Sequence, residues 1–385
     1  MRILSVLTYY RPHWTGLTRH AVELAEGLAA RGHAVTVLTT RHSRELARRE
    51  RLGGVDVVRL IPAFRFSRGM FAPGFPAACA RLVSRADVVQ VHTPLPEAPL
   101  VAAFARLLGR PLLMTHHGDL VLPAGLANQL LQVAAGVLLS ATARSADAVT
   151  TYSLDYAEQS RLLRPLGGKV IPVTPPVSIP GPDRDEAARW RAELGLADRR
   201  VVGFAGRWVE EKGFDLLLRA LPLLLEREPR AHLVFAGERN VVYERSFEAC
   251  RPLASAAGDR LTFLGLVEGR QRMADFYGLC DVFALPSRSD MMALVQAEAM
   301  TCGVPVVATD IPGARVVVQE SGAGLLVPPD SPEALAAALA EVLAAPERFR
   351  PDPEAIRARY SVAASVLRNE EILAELVRRR GEPAR

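Results

Sequence analysis

The sequence predicts an α/β fold built from two doubly wound halves. Short runs rich in β-branched residues alternate with longer amphipathic patterns along the 385 residues, which is typical of βαβ units and parallel sheets. A chain of this length suits two domains of about 150 to 200 residues each. The composition, 49% hydrophobic and 23% charged, is that of a globular protein.

The first half shows this alternation from its first residues. RILSVLT (2–8) indicates a buried strand, TRHAVELAEGLAARG (18–32) an amphipathic helix and HAVTVLTT (33–40) the next strand. Further strands are predicted at VDVVRLIP, ADVVQVH, PLLMTHH, DAVTTYS and KVIPV. The most apolar tract of helical length, LLQVAAGVLLSATA (130–143), is too short to span a bilayer, so we expect it to pack in a core.

A stretch rich in proline and glycine, TPPVSIPGPD (174–183), separates the halves and indicates a hinge. The pattern then restarts, with strands predicted at RRVVGFAG, AHLVFAG, RLTFLG, DVFALP, VPVVATD and GAGLLVP. We expect an N-terminal domain over 1–176, a C-terminal domain over 177–360 and a last helix, 361–385, that crosses back to the N-terminal domain. Because ligands bind at the carboxyl ends of strands in such sheets, we expect the site in the cleft between the halves.

The net charge of +5 and the pI of about 9.3 are compatible with an anionic partner or with arginine-rich codon usage. No lysine-rich or aromatic-interleaved tract indicates nucleic-acid binding. The four cysteines are far apart, without CxxC or neighbouring histidines, which argues against a zinc site or a disulfide framework. We therefore expect reduced thiols, a cytoplasmic protein without a transmembrane helix, and no bound metal.

Two places in the first half carry candidate functional residues. The GxGxxG fingerprint of dinucleotide-binding folds is absent after the first strand, but Thr15-Gly16 precedes a helix, where free N–H groups favour an anion. A plain N-cap turn is the alternative. In THHGD (115–119), adjacent His116 and His117 should point to opposite sides, so one of them faces the site. Ligand contact is favoured there over a metal site, and a simple loop histidine is the alternative.

The second half contains GFAGRWVEEKGFD (203–215), where a strand ends in glycine and two basic residues follow. Gly206 allows the backbone to approach a ligand, Arg207 can fork onto two phosphate oxygens, and Lys212 adds a point charge. The spacing is not that of a Walker A loop. Anion binding is favoured over two solvated charges at a helix start.

Asp290 and Glu298 lie in PSRSDMMALVQAEAM (286–300), around a nearly uncharged segment. On one helix they would be about 12 Å apart, at about 1.5 Å per residue. The carboxylates of glycosidases flank one bond at roughly 5 to 9.5 Å, so this spacing favours two contacts on an elongated ligand. We expect residues 292–295 to form a first helical turn whose N–H groups face a charge. A diphosphate with a sugar at each end fits this arrangement.

These motifs, in this order, resemble the retaining GT-B glycosyltransferases of family 4. The resemblance rests on GRWVEEKGFDLLLRA, LVFAGE, RLTFLGLV, DVFALPS and EAMTCGVPVVATDIPGARVVV, and on Gly16, GHAVTVLT, ADVVQVHTP and THHGD in the first half. It implies two facing Rossmann-like domains and transfer of a hexose from a nucleoside-diphosphate sugar, a UDP- or GDP-sugar, with retained configuration and without metal (EC 2.4). The hydroxyl acceptor would be a glycan, a glycolipid or a small glycoside.

The resemblance also assigns roles to individual residues. Arg207 and Lys212 would hold the diphosphate, Glu298 would bind the ribose hydroxyls, and His117 would contact the donor sugar. Gly16 and Gly206 would bring backbone close to the donor, and Asp290 would contact the sugar hydroxyls. The remaining donor-binding positions are the backbone of Met292, Ala293, Leu294 and Val295 for phosphate or sugar, and Leu266 and Val267 for the base.

One departure leaves a second function open. The family usually has Glu where this chain has Asp290, and it often has a Gly- or Pro-containing step where this chain has Met291-Met292-Ala293. Asp keeps the charge, but its side chain is shorter by one methylene. This affects the contact with the sugar hydroxyls and therefore the identity of the donor sugar, or activity itself. The alternative to an enzyme is therefore a non-catalytic relative that binds a sugar nucleotide.

The stretch FRFSRGMFAPGF (64–75) bears on the acceptor and on location. Its aromatic residues and two arginines are typical of an amphipathic element that touches anionic lipid, which would place the protein peripherally on the inner membrane face. An ordinary acceptor-side loop and helix is the alternative, and we favour it.

Overall fold

The computed structural model describes residues 1–66, 69–119, 125–239, 241 and 246–381. The chain forms two compact units: an N-terminal unit of Met1–Pro176 together with Val362–Arg385, and a C-terminal unit of Val177–Ser361. The division falls inside the proline-rich stretch 174–183. Each unit is built on its own parallel sheet.

The main sheet of the N-terminal unit has the strand order β10-β9-β8-β7-β1-β2-β4-β3, and all its pairs are parallel except β3 with β4. Chain order reverses at the junction of β1 and β7, so the loops at their carboxyl ends diverge and leave a crevice. The strands are β1 (Arg2–Val6), β2 (Ala34–Thr40), β3 (Arg49–Leu52), β4 (Val55–Leu60), β5 (Phe64–Phe66), β6 (Gly69–Phe71), β7 (Val88–Thr93), β8 (Leu112–His116), β9 (Ala148–Thr151) and β10 (Val170–Pro172).

Five helices connect these strands among the described residues: α1 (Gly16–Ala30), α2 (Phe75–Arg85), α3 (Ala98–Leu107), α4 (Leu126–Ser145) and α5 (Leu154–Gln159). α1 begins at a capping box in which the Thr15 and Thr18 side chains each accept from the other's backbone N–H. The stretch 64–75, predicted as an acceptor-side loop and helix, forms the β5–β6 hairpin followed by the start of α2. Residues 67 and 68 of the predicted lipid-contact stretch lie outside the described residues.

The expectation that the apolar tract 130–143 packs in a core is wrong for most of its length. It forms α4, but the side chains of Leu130, Val133 and Val137 are 73%, 66% and 64% exposed. Only its last part is buried, at Leu139, Thr142 and Ala143. The tract lacks the charges that usually mark a solvent-facing helix side, which is why composition alone suggested burial.

The C-terminal unit has a six-stranded parallel sheet among its described residues, in the order β13-β12-β11-β14-β15-β16. Its chain order reverses between β11 and β14. The strands are β11 (Arg200–Ala205), β12 (Ala231–Ala236), β13 (Leu261–Gly265), β14 (Val282–Leu285), β15 (Val306–Thr309) and β16 (Gly324–Val327). The helices are α6 (Arg184–Glu193), α7 (Phe214–Arg227), α8 (Ser246–Ala257), α9 (Arg270–Gly278), α10 (Leu294–Thr301), α11 (Arg315–Ser321), α12 (Pro332–Ala344) and α13 (Pro353–Arg359).

The last helix, α14 (Val362–Gly381), belongs to the N-terminal unit. Its apolar side joins the core that β1, β2 and α1 form, through Val366, Ile372, Leu373 and Leu376. Burying each such side chain contributes roughly 1.5 to 3 kcal/mol. At the edge, Glu370 pairs with Arg31 at 2.5 Å and with His33 at 2.6 Å. The chain thus leaves the N-terminal unit near residue 176 and returns to it at Val362.

An aromatic cluster anchors the first loop of the C-terminal unit. Trp208 is fully buried between the two predicted basic residues, and its ring centroid lies 4.1 Å from that of Phe214 and 5.2 Å from that of Phe235. These rings belong to the core that also includes one face of α7 and α12. The indole therefore ties the loop 206–213 to the sheet.

We expect Gly213→Ala to destabilise the protein by roughly 3 kcal/mol, because Gly213 has φ of +65° and an added Cβ would lie 1.9 Å from the carbonyl oxygen of Pro286. Denaturant unfolding of the variant measures the loss. The matched control is Gly136→Ala in exposed helix α4, where a Cβ meets nothing within 4 Å. The control should gain roughly 0.5 to 1 kcal/mol. Equal effects of the two substitutions would contradict this account.

Candidate functional site

The predicted charged residues Arg207, Lys212 and Asp290 lie at the point where the strand order of the C-terminal unit reverses. β11 ends at Ala205 and β14 at Leu285, and these two strands are neighbours in the sheet. The loops 206–213 and 286–293 therefore start side by side at the carboxyl edge. They carry Arg207, Lys212 and Asp290.

Lys212 and Asp290 form an ion pair across these loops. The Lys212 ammonium donates to both carboxylate oxygens of Asp290, at 2.8 Å each. The side chains are 22% and 11% exposed, so water screens the pair only in part. The shorter acid at position 290 thus lies within direct reach of the lysine.

Arg288 also connects the loop 286–293 to the segment that contains Lys212. The sequence analysis assigned no role to this arginine. Its guanidinium donates to both carboxylate oxygens of Asp215, at 2.7 and 2.8 Å, and to the Glu210 carbonyl at 2.9 Å. Its backbone N–H donates to the Glu211 carbonyl at 2.8 Å. Burial alone would raise the pKa of Asp215, but the hydrogen bonds and charge of Arg288 outweigh it and lower that pKa. The only sequence signal was an arginine inside PSRSD.

Arg207 lies on the exposed side of its loop. Its guanidinium is 3.7 Å from the Glu211 carboxylate, and the arginine side chain is 45% exposed. An exposed pair of this kind contributes little to stability. The guanidinium can therefore turn toward an anionic ligand at small cost.

Glu298 is buried in α10, and Asp290 lies before that helix. The hydroxyl of Tyr277 donates to Glu298 Oε2 at 2.8 Å. Burial raises the pKa of Tyr277 well above its usual range, so the phenol stays a donor. Tyr277 was not predicted from sequence, because only the fold brings α9 beside α10.

The expected first helical turn at 292–295 starts later than predicted. α10 begins at Leu294, and Ala293 is its N-cap without a side-chain hydrogen bond. Leu294 and Val295 are therefore in the first turn, while Met292 and Ala293 precede the helix. Both are buried apolar residues that hold the loop against the unit.

Leu266 and Val267 follow directly after β13. Leu266 is 71% exposed and Val267 is half-buried. Leu266 is the one large apolar side chain exposed in the described part of the C-terminal unit. An exposed apolar side chain at a strand's carboxyl end offers a surface for a flat ring.

Gly16 is the first residue of α1 and is exposed, and a Cβ there would meet nothing within 4 Å. The preceding Thr15 takes part in the capping box, so the plain N-cap turn is present. Open space beside the backbone is also what close approach of a ligand requires.

His117 lies within a chain of hydrogen bonds in the N-terminal unit that runs from Tyr152 to Ser5. Its Nδ1 lies 2.7 Å from the Tyr152 hydroxyl and its Nε2 lies 2.9 Å from His92 Nδ1. His92 Nε2 continues to the Ser5 hydroxyl at 3.1 Å. His116 points elsewhere and contacts Thr93 and Asp119, as alternation along a strand predicts. Both ring nitrogens of His117 are thus engaged, so contact with a sugar would replace one of these bonds.

The imidazoles around His117 are neutral. Burial lowers the pKa of His20 to about 4 and that of His92 to about 3, and it lowers the pKa of His117 well below the ordinary value. The His20 ring lies 4.9 Å from that of His117. His20, His92 and Tyr152 were not singled out in the sequence, although two of them stand at the ends of predicted strands. In the described residues, no group of three or more His, Cys, Asp or Glu side chains has an arrangement suited to a metal ion.

Two family models match most of the chain. "Glycosyltransferase Family 4" matches residues 14–179 and "Glycosyl transferases group 1" matches residues 199–345. The D-inositol 3-phosphate glycosyltransferase of Kineococcus radiotolerans is 30% identical over 377 residues, which is 86% of this chain and 83% of that protein. The chain belongs to glycosyltransferase family 4.

Other relatives of this family 4 glycosyltransferase match over a shorter part. The D-inositol 3-phosphate glycosyltransferase of Mycobacteroides abscessus is 40% identical over 172 residues, which is 43% of this chain and 38% of the relative. The chain therefore spans less than half the length of such relatives in these matches.

Solved structures confirm the fold class predicted for this glycosyltransferase. HepE of Anabaena, solved with UDP and glucose, has a TM-score of 0.78 at 20% identity, covering 97% of this chain and 100% of HepE. Sucrose-phosphate synthase of Thermosynechococcus elongatus has a TM-score of 0.76 at 21% identity, covering 98% of this chain and 99% of the synthase. At these identities the likeness establishes the fold.

We expect the buried histidines to make this glycosyltransferase lose stability in mild acid. The unfolded imidazoles take up protons below pH of about 6.5, whereas folded His20 and His92 do not until pH of about 4 and about 3. Stability should be complete above pH of about 6.5 and fall as the pH decreases. Between pH 7 and pH 5, His20 and His92 should each lower the free energy of unfolding by roughly 2 kcal/mol.

Denaturant unfolding of the parent and of His20→Leu at pH 7 and pH 5 measures this effect. The variant should lose less stability between the two pH values, by roughly 2 kcal/mol. The same pH dependence in both proteins would mean that His20 is not a neutral buried group.

Proposed function

We propose that this protein transfers a sugar from a nucleoside-diphosphate sugar, a UDP- or GDP-sugar, to a hydroxyl acceptor, with retained anomeric configuration and without a metal ion. The observation that carries this proposal is the Lys212–Asp290 pair at the strand-order reversal of the C-terminal unit, with Arg207 beside it. UDP is the first candidate base, since HepE is solved with UDP and with UDP-glucose.

Lys212 and Arg207 would hold the diphosphate and stabilise the charge of the leaving nucleotide. Breaking the sugar–phosphate bond leaves an added negative charge on the diphosphate, and cations fixed in advance stabilise it without reorganisation. The Lys212 ammonium has three donors, of which two bind Asp290 here. When a diphosphate binds, the lysine would exchange a carboxylate oxygen for a phosphate oxygen. Asp290 would then accept from a sugar hydroxyl.

Glu298 and Leu266 would hold the nucleoside. Tyr277 fixes one oxygen of the Glu298 carboxylate by its hydrogen bond at 2.8 Å, which orients the group to accept from two ribose hydroxyls. Leu266 and Val267 would border the base. The N–H groups of Leu294 and Val295, with the neighbouring backbone of Met292 and Ala293, would contact phosphate or sugar.

The N-terminal unit would supply the acceptor side, with Gly16 and His117 near the donor sugar. A groove of about 660 Å³ begins where β4 ends and is lined by apolar residues and by the exposed Arg48, Arg49 and Arg81. A fourth arginine of the lining, Arg59, is buried and already paired with Glu50. This lining suits an acceptor that carries an anionic group. The relatives named above act, by name, on a phosphorylated inositol. A glycan, glycolipid or small glycoside with a phosphate or carboxylate fits this description.

We expect Lys212→Ala to reduce sugar transfer by about a hundredfold or more, because the leaving diphosphate loses a fixed cation. A thermal-shift panel of UDP-, GDP- and ADP-sugars first identifies the donor, which should raise the melting temperature of the parent by roughly 5 to 10 °C at a hundredfold excess over Kd. Turnover of that donor is then measured for parent and variant.

The matched control is Lys169→Ala, which removes the only other lysine of the chain. Lys169 binds backbone carbonyls at the end of α4, so its loss should leave turnover unchanged. Stabilisation by a sugar nucleotide without turnover in the parent would favour the non-catalytic alternative. Unchanged turnover in Lys212→Ala would remove the lysine from the reaction.

We expect Asp290→Glu to change donor preference, because the longer side chain moves the carboxylate by about one methylene while keeping its charge. The ratio of kcat/KM between two hexose donors should shift by about tenfold. The variant Asp290→Asn keeps the length of the side chain and removes its charge. It therefore distinguishes an effect of side-chain length from an effect of charge. An unchanged ratio in Asp290→Glu would show that the shorter acid is incidental.

A further inference from the structure

Helix α4 has an exposed apolar face on the N-terminal unit. The α4 face consists of Leu130, Val133, Val137 and Leu138, which fall on one side of the helix because their spacing follows its period. α4 is 20 residues long, so the face extends over the middle of a rod about 30 Å in length. None of the described helices combines the length and apolar character that crossing a bilayer requires.

Exposed apolar side chains are distributed unevenly between the two units. In the described part of the chain, every exposed large apolar side chain except Leu266 belongs to the N-terminal unit. Single exposed apolar residues are common on soluble proteins and need no explanation. Several exposed apolar side chains aligned along one helix are uncommon, and they indicate an interaction surface.

The charged residues within α4 and its neighbours α2 and α3 are all positive. α2 packs beside α3, and α3 beside α4. These three helices contain no aspartate or glutamate, and their arginines Arg81, Arg85, Arg106 and Arg144 are exposed. Arg85, Arg106 and Arg144 each occupy the last turn of their helix, and each helix leads into a parallel strand. They therefore form a row at the amino edge of the sheet. Two aspartates also lie at this edge, but Asp87 pairs with Arg2 and Asp147 accepts from the Leu112 N–H.

We propose that the α4 face docks on an anionic lipid bilayer. The four apolar side chains would enter the boundary between headgroups and acyl chains, and the arginine row would contact lipid phosphates. Each arginine near an anionic surface gains about fivefold in affinity at physiological salt. An uncharged helix face beside arginines, on helices that contain no carboxylate, is complementary to an anionic lipid surface.

A second copy of the chain fits this surface less well. Two α4 faces in a symmetric pair would bring two layers of arginine together without an acidic partner in either. Like charges across an interface disfavour association. The hairpin of β5 and β6 is a separate candidate for lipid contact, but the rings of Phe64 and Phe71 already stack on each other with centroids 5.1 Å apart.

Vesicle flotation of the full chain tests the proposal. The parent should float with vesicles of phosphatidylglycerol and phosphatidylcholine, should float little with phosphatidylcholine alone, and should be released by high salt. Val133→Ser combined with Val137→Ser should lower the bound fraction about tenfold or more. Both positions are exposed, so the fold and the turnover of a soluble acceptor should be retained.

Matched variants make each outcome decisive. Leu367→Ser removes an exposed apolar side chain from α14 and should leave binding unchanged. Arg106→Ala with Arg144→Ala should weaken binding mainly at low salt. The proposal fails if the parent does not bind anionic vesicles, or if Phe64→Ser with Phe71→Ser abolishes binding while the α4 variant binds normally. It also fails if light scattering shows a dimer that the α4 variant loses, without vesicle binding.

Discussion

The ion pair between Arg288 and Asp215 is the constraint on which the candidate donor site depends. It joins the loop after β14 to the start of α7, and Lys212 and Asp290 lie within a few residues of its two ends. The two loops are connected by the Arg288 guanidinium and by the backbone N–H of Arg288, which donates to the Glu211 carbonyl at 2.8 Å. Asp330 adds a third carboxylate contact at 2.8 Å from the arginine Nε. Because the Arg288–Asp215 pair holds the two loops together, Lys212 and Asp290 are already within hydrogen-bonding distance of each other.

Both units have a reversal of strand order in their sheet, but the side chains at the two reversals differ in charge. In each, the strand order reverses next to the first strand of the unit, β1 in one and β11 in the other. The loops that diverge there are cationic in the C-terminal unit, with Arg207 and Lys212. In the N-terminal unit the strand ends instead carry the buried, neutral imidazoles of His92 and His117. A low pKa keeps these rings uncharged, so they can hydrogen-bond to hydroxyl groups without adding a positive charge.

Sequence patterns predicted most strands of the two sheets, since buried parallel strands are continuous apolar runs. The order of the strands within each sheet, and the short strands β3, β5 and β6, were not predicted. Arg207, Lys212 and Asp290 were predicted as site residues because they lie in the loops that follow such runs. Arg288, Tyr277 and His92 were not, because their partners are distant in sequence and only the fold brings them together. The exposure of α4 was also missed, since an apolar tract gives the same pattern whether a core or a lipid surface covers it.

The shorter acid at position 290 follows from how closely the backbone packs there. Gly313 has φ of +83°, and a Cβ at that position would lie 2.4 Å from the carbonyl oxygens of Asp290 and Met291. Because glycine lets this segment approach, the aspartate backbone is already near the lysine, and one methylene suffices for two contacts at 2.8 Å. A longer acid in the same backbone would have to fold back or extend past Lys212. The side chain at 290 therefore has the length that the contact with Lys212 requires in this backbone.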